Sequence, residues 1–469
     1  MLKIKRFLFI IACFFVLSPN YALIPSANSA NNADFLTVTD IHFNPFFTCQ
    51  SNSTYCPIIN SLNKSKVSQW PSILKKEGAR YFPPLHQETN YYLLQSAFKK
   101  LGDTATQNKA TFVILTGDLL AHNYPSLYRR YTGDYSAKGY RSFVNKTFQL
   151  IADELERSLP NTPIYPTLGN NDSANGDYYT DVNGQFFKDF TRIFSPLIKD
   201  ANNKKSFTTD FLTAGYYQVT PKGTSNLRLL LLNTNLFSKN SIGPNVDQAA
   251  NNQLSWLQSQ LTLANTNKQQ VWLALHIPVG IDIFKTIKNH ASPVRVWHDT
   301  PTHTFLNLVN TYSTTITAMF SGHYHTDGFQ LFKQTNGSAI LNTITPGVTP
   351  LFGNNPGFKL FSFNTSSNQL LDFTTYDLPL QNAAPQWGAL YTFSSIYDVP
   401  NAANTDAPLL TRMLGLSKTN AYAASYKKYY GAGQPYSQPL QKPNQYPGAW
   451  TIYWCAISNF TATDFLNCL

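Results

Sequence analysis

From residue 35 onward, short unbroken apolar runs alternate with longer stretches of helical periodicity. The runs are FLTV at 35–38, FVIL at 112–115, IYPT at 164–167, RLLLLNTN at 228–235, VWLALHIPVG at 271–280 and TAMF at 317–320. Short apolar runs that end in glycine, asparagine, aspartate or proline predict strands buried on both faces. Between them, apolar spacing predicts helices at 91–101, 142–159, 189–194 and 247–263. Strand and helix in alternation predict an α/β fold with largely parallel pairing. Three later segments, 338–350, 357–364 and 370–378, read as strands of a second sheet layer that ends near Leu380. From Gln381 the chain turns aromatic and proline-rich, with short helical stretches at 409–416 and 421–430. The expected organisation is a catalytic domain over 34–380 and a small, mostly helical subdomain over 381–469.

Composition narrows the class. The 469 residues are 43% hydrophobic and 14% aromatic, enough for a large core and incompatible with wholesale disorder. The net charge of +11 comes from scattered Lys and Arg rather than a long basic run, so no nucleic-acid groove is indicated. At the N-terminus, Lys3, Lys5 and Arg6 precede the apolar stretch 7–17, and small residues follow over 22–30. That order predicts a secretory signal peptide within 1–30, too short to span a bilayer, and hence a secreted protein without stable membrane insertion. Cys13 leaves with it. The other four cysteines form two local pairs, Cys49 with Cys56 and Cys455 with Cys468. In an exported chain these read as two disulfides closing short loops.

The candidate chemistry lies at the ends of the apolar runs. TDIHFNP carries Asp40 and His42, one residue apart, so on extended backbone their side chains leave from one face. TGDLLAH places Asp118 at a strand's carboxyl end, where open α/β sheets hold ligands, with His122 four residues on. LGNND offers Asn170 and Asn171, His276 ends the run at 271–280, and SGHYH offers His323 and His325. Each has a plainer reading alone: an aspartate there caps the next helix, asparagines make turns, and a strand-end histidine can be structural. Gly-His-x-His is the most specific of these signals. Five loops supplying Asp, His, Asn and His in turn are hard to produce by accident.

In order, these stretches resemble the calcineurin-like metallophosphoesterases, and TDIHFNP, TGDLLAH, LHIPVG, FSGHYHTDGF, VTPLFGNNPGF and NNQLSWL resemble the acid sphingomyelinase-like branch. The resemblance runs from about Phe35 to the C-terminus. It implies a four-layer αββα sandwich, two mixed β-sheets flanked by helices. It further implies two divalent metal ions, typically zinc. One would take Asp40, His42 and His325, the other Asn170, His276 and His323, with Asp118 bridging. The family usually reads Gly-Asn-His where this chain has Gly169-Asn170-Asn171. Asn171 can donate a hydrogen bond but not transfer a proton at neutral pH, and the resemblance implies His122, which matches the second histidine of the sphingomyelinase-like branch, as the general acid.

The expected activity is therefore metal-dependent phosphodiester hydrolysis by a secreted monomer. The first strand begins close behind the leader, and no basic amphipathic helix replaces a lipid-extracting domain. Soluble nucleotides and choline-type phosphodiesters are accordingly favoured over bilayer lipid. The alternatives are a sphingomyelin phosphodiesterase and a catalytically weak binding protein on the same scaffold.

Overall fold

The computed structural model describes residues 31–224, 226–335, 339–397, 421–435, 439, 442 and 444–469. The expected signal peptide and the helical stretch at 409–416 lie outside the described residues. Among the described residues, twelve strands form two six-stranded sheets. The first sheet contains β1 (Asn32–Val38), β2 (Val113–Leu115), β3 (Ile164–Pro166), β10 (Gly357–Asn364), β11 (Leu370–Asp377) and β12 (Gly388–Thr392). The second contains β4 (Tyr217–Val219), β5 (Leu227–Leu231), β6 (Gln270–Ala274), β7 (Ile316–Ser321), β8 (Gly328–Lys333) and β9 (Ala339–Ile344).

The first sheet runs β12-β11-β10-β1-β2-β3, parallel from β1 to β3 and antiparallel from β1 back to β12. The second runs β4-β5-β6-β7-β9-β8, parallel from β5 through β9 with an antiparallel strand at each edge. Both sheets are mixed, and the fold is α/β. One expectation needs correcting. Segments 338–350, 357–364 and 370–378 do not share a sheet: β9 joins the second, while β10 and β11 return beside β1. Past Leu380, β12 adds a further strand to that first sheet.

The sheets pack face to face through aromatic side chains. Phe35 of β1 lies 5.1 Å from Trp272 of β6 and 5.4 Å from Phe320 of β7, ring centre to ring centre. The period-two alternation of a strand sorts the layers. Trp272 and Ala274 face the interior between the sheets, whereas Val271 and Leu273 pack outward with Leu257, Leu261 and Phe305 of the covering helices. Those helices, Val246–Thr266 and Asp299–Thr311, cover the second sheet. Helices Tyr91–Gln107 and Ala137–Ser158 pack together at the first.

C-terminal helices Ala421–Tyr429, Ala449–Ser458 and Ala462–Cys468 complete the described fold, with Ala449–Ser458 against β8. Cys49–Cys56 and Cys455–Cys468 are both disulfide-bonded. Among the described residues no helix is long and apolar enough to cross a membrane.

Candidate metal centre

The parallel strands of both sheets end on one edge of the sandwich, and five of the loops that leave them meet there. Asp40 follows β1, Asp118 follows β2, Asn170 follows β3, His276 follows β6, and His323 and His325 follow β7. The loops are tied to one another by backbone. Asp40 N–H donates to Gly117 O at 2.9 Å, His42 N–H to Asp118 O at 2.9 Å, and Phe43 N–H to Leu119 O at 2.8 Å. Glycine permits the closest approach. A Cβ on Gly117 would lie 2.2 Å from Gly169 N, and one on Gly169 would lie 2.1 Å from Asp118 N. Any larger residue at either position would push two ligand-bearing loops apart.

The backbone at these ligands is not extended. Asp40, His42, Asp118, His323 and His325 all adopt positive φ, at 48°, 42°, 54°, 73° and 59°. The expected sharing of one face on an extended D-x-H or H-x-H segment is thus incorrect; left-handed residues turn the side chains inward instead. Non-glycine residues avoid this region, at a cost of about 1–2 kcal/mol each. Five such residues in one pocket mean that the surrounding fold holds them there.

The seven expected ligands come together. Asp118 Oδ2 lies 3.3 Å from His42 Nε2 and 3.3 Å from His276 Nε2, between the two halves of the cluster. Asp40 Oδ1 is 3.3 Å from His325 Nε2 and 3.8 Å from His42 Nε2. Asn170 Oδ1 is 3.2 Å from His276 Nε2. The His323 ring centre is 5.2 Å from that of His276, and ligand atoms of Asp118, His276 and His323 all lie within 4.8 Å of one another. Asp40, His42, Asp118 and His325 form a second such group.

These residues suit cations. His42 Nδ1–H donates to Leu120 O at 2.9 Å, and His276 Nδ1–H to Thr116 O at 2.7 Å. A carbonyl only accepts, so each ring presents a bare Nε2 to the pocket when neutral. His42 Nε2 and His325 Nε2 face each other at 3.2 Å. Asp40 Oδ1 is buried without a hydrogen-bond donor. Among the described residues, neither Asp40 nor Asp118 is paired with a lysine or arginine. A buried set of lone pairs and negative charge with no lysine or arginine to balance it fits a pair of divalent metals.

Proton affinities follow the same charges. Burial alone would depress His276, but the carboxylates of Asp118 and Asp40 override it and lift it to about 9. His42 is likewise raised, against burial, chiefly by Asp118. Desolvation beside His276 brings the half-buried His323 down to about 3, and burial holds His325 well below its ordinary value. Burial would raise Asp118, yet the imidazoles of His276 and His42 hold it well below the usual carboxylate range.

The two expected catalytic residues border the cluster differently. The His122 ring stacks on His42 with centres 4.4 Å apart. Asn171 is buried and donates twice to Asp118, from its backbone to Oδ1 at 2.8 Å and from Nδ2 to Oδ2 at 3.0 Å. It orients the shared carboxylate.

Three further residues escaped the sequence reading. Asp172 accepts from the backbone of Asp118 at 2.8 Å, Leu119 at 2.7 Å and Gly169 at 2.9 Å, locking two ligand loops together. Its place after Gly-Asn-Asn had the look of ordinary turn chemistry. Glu88 contacts His122 from a loop with no motif of its own. Phe352 is 45% exposed, with its ring 4.5 Å from that of His325 and 6.2 Å from that of His122. An exposed phenylalanine is a signal only once its neighbours are known.

Residues 34–327 match the family model described as Calcineurin-like phosphoesterase. The chain is 25% identical over 460 residues to the cyclic GMP-AMP phosphodiesterase SMPDL3A of Bos taurus, covering 95% of this chain and 92% of that one. It is 29% identical over 394 residues to the sphingomyelinase phosphodiesterase D of Dictyostelium discoideum, covering 81% and 83%. It is 24% identical over 385 residues to the acid sphingomyelinase-like phosphodiesterase 3b of Mus musculus, covering 79% and 76%.

Proposed function

The chain belongs to the calcineurin-like phosphoesterase family, in its acid sphingomyelinase-like branch, and on that premise we propose an exported dinuclear-metal phosphodiesterase acting on soluble substrates. The observation that carries this reading is Asp118 Oδ2, placed 3.3 Å from ring nitrogens on both sides of the cluster. Asp40, His42 and His325 would hold one metal and Asn170, His276 and His323 the other, with Asp118 between the two sets. Zinc is the proposed ion. When bound, such a pair lowers the pKa of water and neutralises charge growing on phosphoryl oxygens during in-line displacement.

The chain's own residues do the rest. Asn171 keeps Asp118 turned toward both halves. His122, beside the cluster and partly exposed, donates the proton that the departing oxygen needs. Phe352 shields that side of the pocket from water and presents an apolar face to the leaving group. Nucleotides and choline-type phosphodiesters are the proposed substrates. The relatives named as phosphodiesterases of cyclic GMP-AMP support the former, since they align along nearly all of this chain. Both disulfides and the leader-like residues 1–30 support export, and the protein is proposed to act as a monomer.

The test is a substrate panel on one metal-analysed preparation: ATP, ADP, CDP-choline, detergent-free sphingomyelin vesicles and a phosphomonoester, each with and without chelator. Chelation should abolish hydrolysis, and the soluble diesters and anhydrides should turn over faster than the vesicles. Vesicles matching ATP would make it a sphingomyelin phosphodiesterase. A metal-loaded but inert protein would be a binding protein.

A further inference from the structure

The carboxylate of Glu88 grips His122 twice. Its Oε1 lies 2.6 Å from the backbone nitrogen of His122 and 3.0 Å from the ring nitrogen Nδ1. Its Oε2 accepts from Asn44 Nδ2 at 2.8 Å. Asn44 sits two residues beyond His42, and its own Oδ1 accepts from Phe46 N–H at 2.9 Å. A continuous chain of hydrogen bonds thus runs from the first metal-binding loop through Asn44 and Glu88 to His122. The Glu88 side chain is 10% exposed and that of His122 30%. The carboxylate is largely withdrawn from solvent while the imidazole keeps one edge open. Ring stacking on His42 fixes the plane of the imidazole, and the Glu88 contact fixes its rotation within that plane.

We propose that Glu88, held by Asn44, is the positioning residue for the proton donor: it accepts Nδ1–H of His122 and thereby commits Nε2 to the leaving-group oxygen. The physical reason is the placement of two protons, because the acid form of the ring carries one on each nitrogen and only the Nε2 proton is given up. An imidazole has two nitrogens, and only one can face the substrate usefully. A carboxylate can accept but not donate, so it enforces a proton on Nδ1, the nitrogen turned from the reaction. In the bond-breaking step the P–O bond to the leaving group opens, its electron pair goes to that oxygen, and the oxygen takes the proton from Nε2. His122 is left neutral with Nδ1–H still on Glu88. A glutamine can turn its amide nitrogen toward Nδ1, which requires that nitrogen bare and so opposes the doubly protonated ring from which Nε2–H is given.

This inference rests on the reading of His122 as general acid, and the experiment separates the two. Aryl phosphodiesters of rising phenol pKa are assayed with wild type, Glu88→Gln, Glu88→Asp, His122→Ala and the double variant Glu88→Gln/His122→Ala. Metal content and thermal melting are measured on each. Glu88→Gln should keep wild-type metal content and KM, match wild-type kcat with the best leaving group, and lose about 10- to 100-fold with the worst. Glu88→Asp, with a carboxylate one methylene shorter, should recover part of that loss. The double variant should be no worse than His122→Ala alone, because both changes remove one device. A uniform loss across leaving groups, a loss of metal, or additive losses in the double variant would overturn the role of Glu88 while leaving His122 in place. A His122→Ala variant with an unchanged leaving-group dependence would overturn both.

Discussion

Asp172 holds the candidate metal centre together without belonging to either group of candidate ligands. Its two oxygens accept from the backbone of Asp118, Leu119 and Gly169, so it sets the separation of the Asp118 and Asn170 loops. Asp172→Ala should leave the buried N–H groups of Asp118, Leu119, Leu120 and Gly169 unsatisfied, lower metal affinity about 10- to 100-fold, and show this in a competition titration with a chromogenic chelator. A second expectation concerns protons. In the metal-free protein His42 and His276 are raised, the latter to about 9, so both carry a proton at neutral pH. Metal loading must displace them. Adding metal to the stripped protein in weak buffer at pH 7 should release at least the two imidazole protons, with any from metal-bound water on top, and His276→Asn should release one fewer than wild type. Among single residues, those in motifs were legible from sequence: Asp40, His42, Asp118, Asn170, His276, His323 and His325 stand at ends of apolar runs. Glu88 was not legible, since a lone acid in a loop has no period or spacing, and only the folding of that loop against His122 gives it meaning.

At the scale of elements, the strands that carry ligands were the easiest to read, because burial on both faces writes an unbroken apolar run. Edge strands such as β4 and β12 are short or half-exposed and leave no such mark. The partners of β10 and β11 were misjudged for a different reason. Their sequence alternation defines strands, but β1, the partner that ties β10 and through it β11 to the first sheet, lies more than three hundred residues earlier, and no local pattern encodes that pairing. Asp377, at the end of β11, supplies a pH test of this region. It is 6% exposed, accepts from Asn355 Nδ2 at 3.1 Å, and burial pushes it up from 3.8 to about 6. A carboxyl raised on folding favours the protonated native state. Its contribution to stability is therefore full below pH 3.8 and is lost as pH rises through about 6. Asp377→Asn should remove that dependence, by up to about 3 kcal/mol. Denaturant melts at pH 4 and 7.5 should show the variant gaining on wild type at the higher pH.

Across the whole molecule, the two sheets and the C-terminal segment meet behind the Gly-His-x-His loop. Asp327, two residues past His325, forms a fully buried ion pair with Lys359 of β10 at 2.8 Å and accepts from Thr375 of β11 and Tyr391 of β12. Its backbone N–H donates to Tyr430 O at 2.8 Å. Burial depresses the Lys359 ammonium, and Asp327 offsets part of that. Replacing Lys359 with Met would leave Asp327 buried without its cation, a loss of about 3–5 kcal/mol. The expected result is a lower denaturation midpoint together with weaker metal retention, since the stranded carboxylate adjoins a ligand loop. A variant that is destabilised but binds metal normally would show that the pair serves the sheets alone.

The same contacts order events in time. Gly431 and Ala432, the neighbours of Tyr430, accept from Asn355, beside the loop that carries Phe352. A ribosome builds its product from the N-terminus, so all seven proposed ligands emerge well before the segment that braces the last of them. A nascent or truncated chain would own every coordinating atom and still lack a rigid cage. Hydrolytic competence would then arrive only once residues 430–432 have joined the fold.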